Sequence, residues 1–224
     1  MIAKVAKAEN PPFGVDGYDP AVAPRPAAPQ QSPAIVRTAQ LDLYPSHRGR
    51  WTPQIRRQVL QRYVEGLADR PYCAEDFDAG GTLIRPAGLA LEHSYVQYNR
   101  PWERRWVWAD VDHPILGDHF PLAPSLVLLN MRNGHYQAGW ELRTPVLIGP
   151  NANPHPIRWA DQLERRMITA LGADSGHTGL LGKNPISPAW EIARVGRGRY
   201  ELATLESALQ GVEPARRPSL DGSE

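Results

Sequence analysis

The chain has 224 residues, 42% of them hydrophobic and 22% charged, enough for one substantial core and too few for several independent domains. Its 25 Lys and Arg against 24 Asp and Glu leave a net charge of +1, which excludes one global basic field but not local basic patches. The single cysteine, Cys73, excludes a disulfide framework and a cysteine-built zinc site.

From the N-terminus, the pattern of a charged, then apolar, then small-residue segment that marks a secretory signal is missing. No later apolar run approaches the ~20 residues that a membrane span needs. The expectation is a cytoplasmic protein with no membrane partner. Seven prolines fall between Pro11 and Pro33, among Ala and Gln and few large apolar residues. Such a stretch buries too little surface to offset its ordering entropy, so residues 1–45 are expected to be extended or disordered. The tail from 211 onward has a similar character, which leaves 46–210 as the folded domain.

Thr52 and Pro53 are a good N-cap and first helical residue. Ile55, Val59, Leu60, Tyr63, Val64 and Leu67 recur at helical spacing, and Pro71 closes the segment. Short strands are expected at Thr82–Ile84 and Tyr95–Tyr98. The clearest strand is Arg105–Asp112, rich in aromatic and β-branched residues, ending at His113-Pro114. Ser125–Asn130 and His135–Leu142 flank Asn133-Gly134, the strongest short-range signal of a hairpin. A helix over Pro156–Leu171 carries Ile157, Ala160, Leu163, Met167, Ile168 and Leu171 on one face, with Gly172 suited to its C-cap. Asp174 to Pro185 reads as a glycine-rich loop, and a last helix is expected near Leu202–Leu209. Helices mixed with mostly antiparallel strands give an α+β layer fold.

Asp110 and Asp112 alternate on one strand, so their side chains share a face with Cα atoms roughly 7 Å apart. Two like charges that close repel unless a cation lies between them. Oxygen ligands favour Mg²⁺ or Mn²⁺, and such a pair suits a two-metal phosphoryl-transfer centre with ions ~3.5–4 Å apart. The competing reading is a strand end whose carboxylates are simply solvated. His135 opens the strand after the hairpin turn, where a histidine binds phosphate or is merely exposed. Ser175, His177, Lys183 and Asn184 lie in the glycine-rich loop, whose composition suits a triphosphate. Its Gly-to-Gly-Lys spacing is not that of a Walker A loop. Arg104, Arg194, Arg197 and Arg199 could grip a nucleic-acid backbone, although arginine runs are commonly solvated faces. The seven tryptophans suit the core better than base-stacking platforms, although Trp102 or Trp190, near the arginines, could stack on bases.

Taken together, Trp106 to His113 (WVWADVDH), Asn133 to Leu142 (NGHYQAGWEL), Thr144 to Val146 and Leu171 to Pro185 (LGADSGHTGLLGKNP) resemble the plasmid replicase family, within the archaeo-eukaryotic primase-polymerase superfamily. The resemblance covers Tyr95 to Leu205. It implies a primase-polymerase fold, a mostly antiparallel or mixed sheet flanked by helices. Asp110 and Asp112 match the superfamily's acid-x-acid motif. Asn133-Gly134-His135 matches its second motif, and Ala173-Asp174 its third. Ala160-Asp161 is a rival for the third acid, but lies inside the second long helix.

The resemblance further implies that Asp110, Asp112 and Asp174 hold two Mg²⁺ or Mn²⁺ ions. His135, Ser175, His177, Lys183 and Asn184 would hold a nucleoside triphosphate. The activity would be nucleotidyl transfer onto a primer or initiating nucleotide on single-stranded DNA, alongside other replication proteins. Family replicases continue into a helical region and a helix-turn-helix origin binder, so a C-terminal DNA-binding region is expected elsewhere or is missing. A non-catalytic DNA-binding initiator and a metal-dependent nuclease are the alternatives to a polymerase.

Overall fold

The fold is built around a strand buried on both sides. The computed structural model describes residues 52–76, 81–114, 120–177, 179–196 and 198–213, which fall in one unit of the chain. The expected extended segment 1–45 and most of the tail lie outside them.

In chain order the elements are α1 (Pro53–Glu65), β1 (Tyr72–Ala74), β2 (Leu83–Ile84), α2 (Ala87–Ala90), β3 (Tyr95–Gln97), β4 (Glu103–Val111), β5 (Leu126–Leu129), β6 (Tyr136–Leu147), α3 (Pro154–Leu171), β7 (Leu181–Lys183), β8 (Glu191–Val195) and α4 (Leu202–Ala208). The strands form two four-stranded sheets, ordered β2-β1-β3-β7 and β4-β6-β5-β8, and every pairing between these strands is antiparallel. The fold is α+β, antiparallel sheets flanked by helices.

Alternation along β4 and β5 explains the layering. Val107, Ala109 and Val111, with Val127 and Leu129, belong to a core shared with Ala160, Leu163 and Met167 of α3 and Leu205 of α4. Trp106 and Trp108, with Leu126 and Leu128, belong to a second core shared with Ile55, Val59 and Tyr63 of α1 and Val96 and Tyr98 around β3. The larger sheet is therefore covered on both faces, which is why β4 reads as a nearly unbroken apolar run. Gly139 is required beneath its cross-strand neighbour Trp108: a Cβ there would stand 2.8 Å from the ring.

The helix signals are met locally. Thr52 Oγ1 accepts from the Ile55 amide at 3.4 Å. Gly172 closes α3 with φ 62°, the left-handed conformation that suits glycine. α3 begins two residues earlier than expected, with Asn153 as its N-cap accepting from the His155 amide at 3.0 Å. The hairpin stands between β5 and β6 with Leu129 paired to Tyr136. Its loop is longer than the two-residue turn that Asn-Gly alone favours. The Asn130 amide donates to the His135 carbonyl and the Gly134 amide to the Asn130 carbonyl, with Gly134 at φ 78°.

Three strands were not expected. β1 is three residues long. β7 lies inside the segment read as a glycine loop, and β8 ends in the first two residues of the arginine-rich segment. β6 also runs five residues past Leu142.

Candidate functional site

The parity that puts Trp106 and Trp108 against the smaller sheet carries on to Asp110 and Asp112. On β6 the same side is taken by Gln137, Gly139 and Glu141, because Tyr136, Ala138, Trp140 and Leu142 all belong to the α3 core. Asp110 is paired with Gln137 in the ladder, and Val111 with Tyr136. One step further, Asp112 stands beside His135, with His135 Nδ1 3.4 Å from Asp112 Oδ1.

β7 brings the basic groups. Gln137 Oε1 accepts from the Lys183 backbone amide at 2.7 Å, tying the end of the smaller sheet to the centre of the larger one. The approach is close enough to require glycine at 182: a Cβ there would lie 3.0 Å from Gln137 Oε1 and 2.8 Å from Tyr98 Cδ1. Lys183 Nζ then donates to Asp110 Oδ1 at 3.1 Å, and the ammonium lies 5.5 Å from the centre of the Trp190 ring. His177 Nδ1 stands 3.7 Å from the other Asp110 oxygen. Burial lowers the His177 pKa, opposed by the Asp110 carboxylate and reinforced by Lys183, so the imidazole is neutral near pH 7. Its Nε2 is buried without a hydrogen-bond partner.

β4 is the outer strand of its sheet, so its free edge can accept the chain leaving α3. The Asp174 amide donates to the Asp110 carbonyl at 2.7 Å. His113 Nε2 lies 3.1 Å from the Leu171 carbonyl and fixes the same junction. The Asp174 Oδ1 accepts from the Gly176 amide at 2.8 Å. Asp161 is not placed for this role. Its Oδ1 is 2.8 Å from Arg104 Nη1, and Arg104 is six residues before Asp110, about 20 Å along the strand.

The other expected ligands divide. Ser175 is exposed in the turn after Asp174. Asn184 is fully buried: its Nδ2 donates to the Leu91 and His93 carbonyls at 2.8 Å each, and its Oδ1 accepts from Ile186. Those bonds leave it no free amide hydrogen, so it holds the loop before β3 rather than facing outward. Arg104, read as a DNA contact, is instead spent on Asp161 and Glu164, with only 19% of its side chain exposed. Arg194 is half-buried on β8, Arg199 is exposed, and Arg197 lies outside the described residues. Gln137 and Tyr98 were not singled out from sequence. For Gln137 a signal existed, a polar side chain sharing strand parity with His135 in an otherwise apolar run.

The donors suit a hard divalent cation in their chemistry: carboxylates paired on one strand face, with an ammonium already drawn to one of them. Among the described residues, no three His, Cys, Asp or Glu side chains are gathered at metal-holding range. Also among the described residues, no helix is long and apolar enough to cross a membrane.

Residues 66–209 match the family model described as the Replicase family. No curated protein matches the chain. Two solved structures are similar in outline. The primase-polymerase domain of cyanophage S-2L is 10% identical with a TM-score of 0.46, over 70% of this chain and 95% of that one. The catalytic domain of primase Repb′, in complex with initiator DNA, is 15% identical with a TM-score of 0.43, over 68% of this chain and 93% of that one.

Proposed function

On the premise that the chain belongs to the Replicase family, we propose that it is a primase-polymerase, transferring nucleotides onto a primer or first nucleotide along a single-stranded DNA template. One observation carries this reading. The strand that bears Asp110 and Asp112 ends where β7 delivers Lys183, with 3.1 Å between ammonium and carboxylate. A carboxylate pair able to hold divalent cations thus adjoins a cation able to hold a triphosphate.

In the reaction, the attacking 3′-hydroxyl gives up its proton to solvent, its oxygen forms a bond to the α-phosphorus, the bond to the bridging oxygen breaks, and pyrophosphate leaves. Asp110, Asp112 and Asp174 would hold Mg²⁺ or Mn²⁺. When bound, such ions supply Lewis-acid activation of the hydroxyl and neutralise charge on the departing pyrophosphate. Lys183 and His135 orient the triphosphate and balance its charge, and Ser175 and His177 border it. Gln137 positions Lys183 through its backbone. Among the described residues, exposed Arg199 and half-buried Arg194 are contacts for the template backbone.

The test is nucleotide incorporation on a primed single-stranded template with Mg²⁺ or Mn²⁺. Wild type extends the primer, and Asp112→Asn lowers the rate by about two to three orders of magnitude. No extension by folded wild type with either metal rejects the reading. Cleavage of labelled DNA with Mg²⁺ alone would identify a nuclease instead. DNA binding without incorporation, unchanged in Asp112→Asn, would identify a non-catalytic initiator.

A further inference from the structure

Lys183 has two partners at once. Its ammonium is 3.1 Å from Asp110 Oδ1 and 5.5 Å from the Trp190 ring centre, and only 8% of its side chain is exposed. Its backbone is pinned by Gln137, so movement is left to the four-carbon stem. Trp190 is itself fixed, its indole N–H donating to the Ser94 carbonyl at 2.6 Å and its ring edge-on to Tyr95. The aromatic face is therefore a standing seat for a cation beside the carboxylate.

An oxygen that accepts from an ammonium is poorly available to a divalent cation, and two positive charges at one carboxylate repel each other. We propose that Lys183 is the built-in counter-ion of Asp110, which a divalent cation must displace, and that the nucleotide's triphosphate receives the displaced ammonium. Divalent cation and nucleotide then bind cooperatively. Without nucleotide the ammonium competes for Asp110. With nucleotide it has a polyanion to turn to, and the carboxylate is released. The coupling is reciprocal, so each ligand tightens the other by the same factor. This inference rests on the polymerase reading above, which places the triphosphate at Lys183.

The experiment is Mn²⁺ binding followed by electron paramagnetic resonance, with and without a non-hydrolysable nucleoside triphosphate, on wild type, Lys183→Met, Lys183→Gln and Lys183→Arg. Without nucleotide, the two neutral variants bind Mn²⁺ about fivefold or more tighter than wild type, and Lys183→Arg matches wild type. With nucleotide, the affinity gain seen in wild type shrinks by a similar factor in the neutral variants. Either neutral variant suffices if the other does not fold. Mn²⁺ binding to the neutral variants that equals or falls below wild type overturns the inference and leaves the polymerase reading standing. Failure of every form to bind Mn²⁺, with or without nucleotide, overturns both.

Discussion

Asp110 and Asp112 share a strand face but not an environment. Asp110 is the partner of a nearly buried ammonium, whereas the Asp112 side chain is 63% exposed, with His135 Nδ1 3.4 Å away. Replacing each by Asn therefore separates chemistry from stability. Asp110→Asn leaves the Lys183 ammonium without its counter-charge, at a cost of about 1–3 kcal/mol. Asp112→Asn stays within about 0.5 kcal/mol of wild type. Urea unfolding of the two variants checks the difference, and both are expected to lose nucleotide incorporation.

Glu164 offers a prediction in pH. Burial raises its pKa, and Arg104 opposes that rise without cancelling it. Because the folded-state pKa is raised, its favourable contribution is complete below the ordinary carboxylate pKa. That contribution is lost as pH rises through the raised value. Glu164→Gln should thus flatten the fall in Tm across that window. Arg104 keeps Asp161 at 2.8 Å in the variant. Thermal scans from acid to neutral pH test it; a variant whose Tm falls as steeply as wild type contradicts it.

At the scale of elements, two glycines make room for aromatic rings, Gly139 beneath its cross-strand neighbour Trp108 and Gly182 against Tyr98 and Gln137. Gly139→Ala and Gly182→Ala each drive a Cβ to 2.8 Å from an aromatic ring, of Trp108 and Tyr98 respectively. Each should cost about 1–3 kcal/mol. The two differ in function: Gly182 sits against Gln137 and beside Lys183, so its variant also raises the KM for nucleotide, whereas Gly139→Ala acts on stability. Steady-state kinetics beside denaturant unfolding reads both. Elements with strong local signals were legible in sequence: α1 from Thr52-Pro53, α3 from its apolar stripe and Gly172, the hairpin from Asn133-Gly134, and β4 from its aromatic run. β1 and β7 were not, because three residues cannot display a period and Leu181-Gly182-Lys183 has the composition of a loop. They become strands through pairing with β3 and through the Gln137 bond, contacts that no local window contains.

For the molecule as a whole, the organising fact is a sheet covered on both faces, with its outer strand left open to the chain after α3. That open edge lets the Asp174 amide reach the Asp110 carbonyl, and the second sheet brings Lys183 to the same residue from the other side. The acidic pair was visible in sequence because alternation alone aligns residues two apart. The ion pairs of Arg104 were not visible in sequence because its partners, Asp161 and Glu164, come from a helix more than 50 positions away.

Divalent cations and nucleotide should meet between β4 and β7. Crystals soaked with Mn²⁺ and a non-hydrolysable nucleoside triphosphate, measured for anomalous scattering, test this directly. The expected result is manganese peaks at Asp110 and Asp112, with the triphosphate against Lys183 and His135. Manganese bound away from both carboxylates, or a triphosphate seated on another face of the protein, would contradict it.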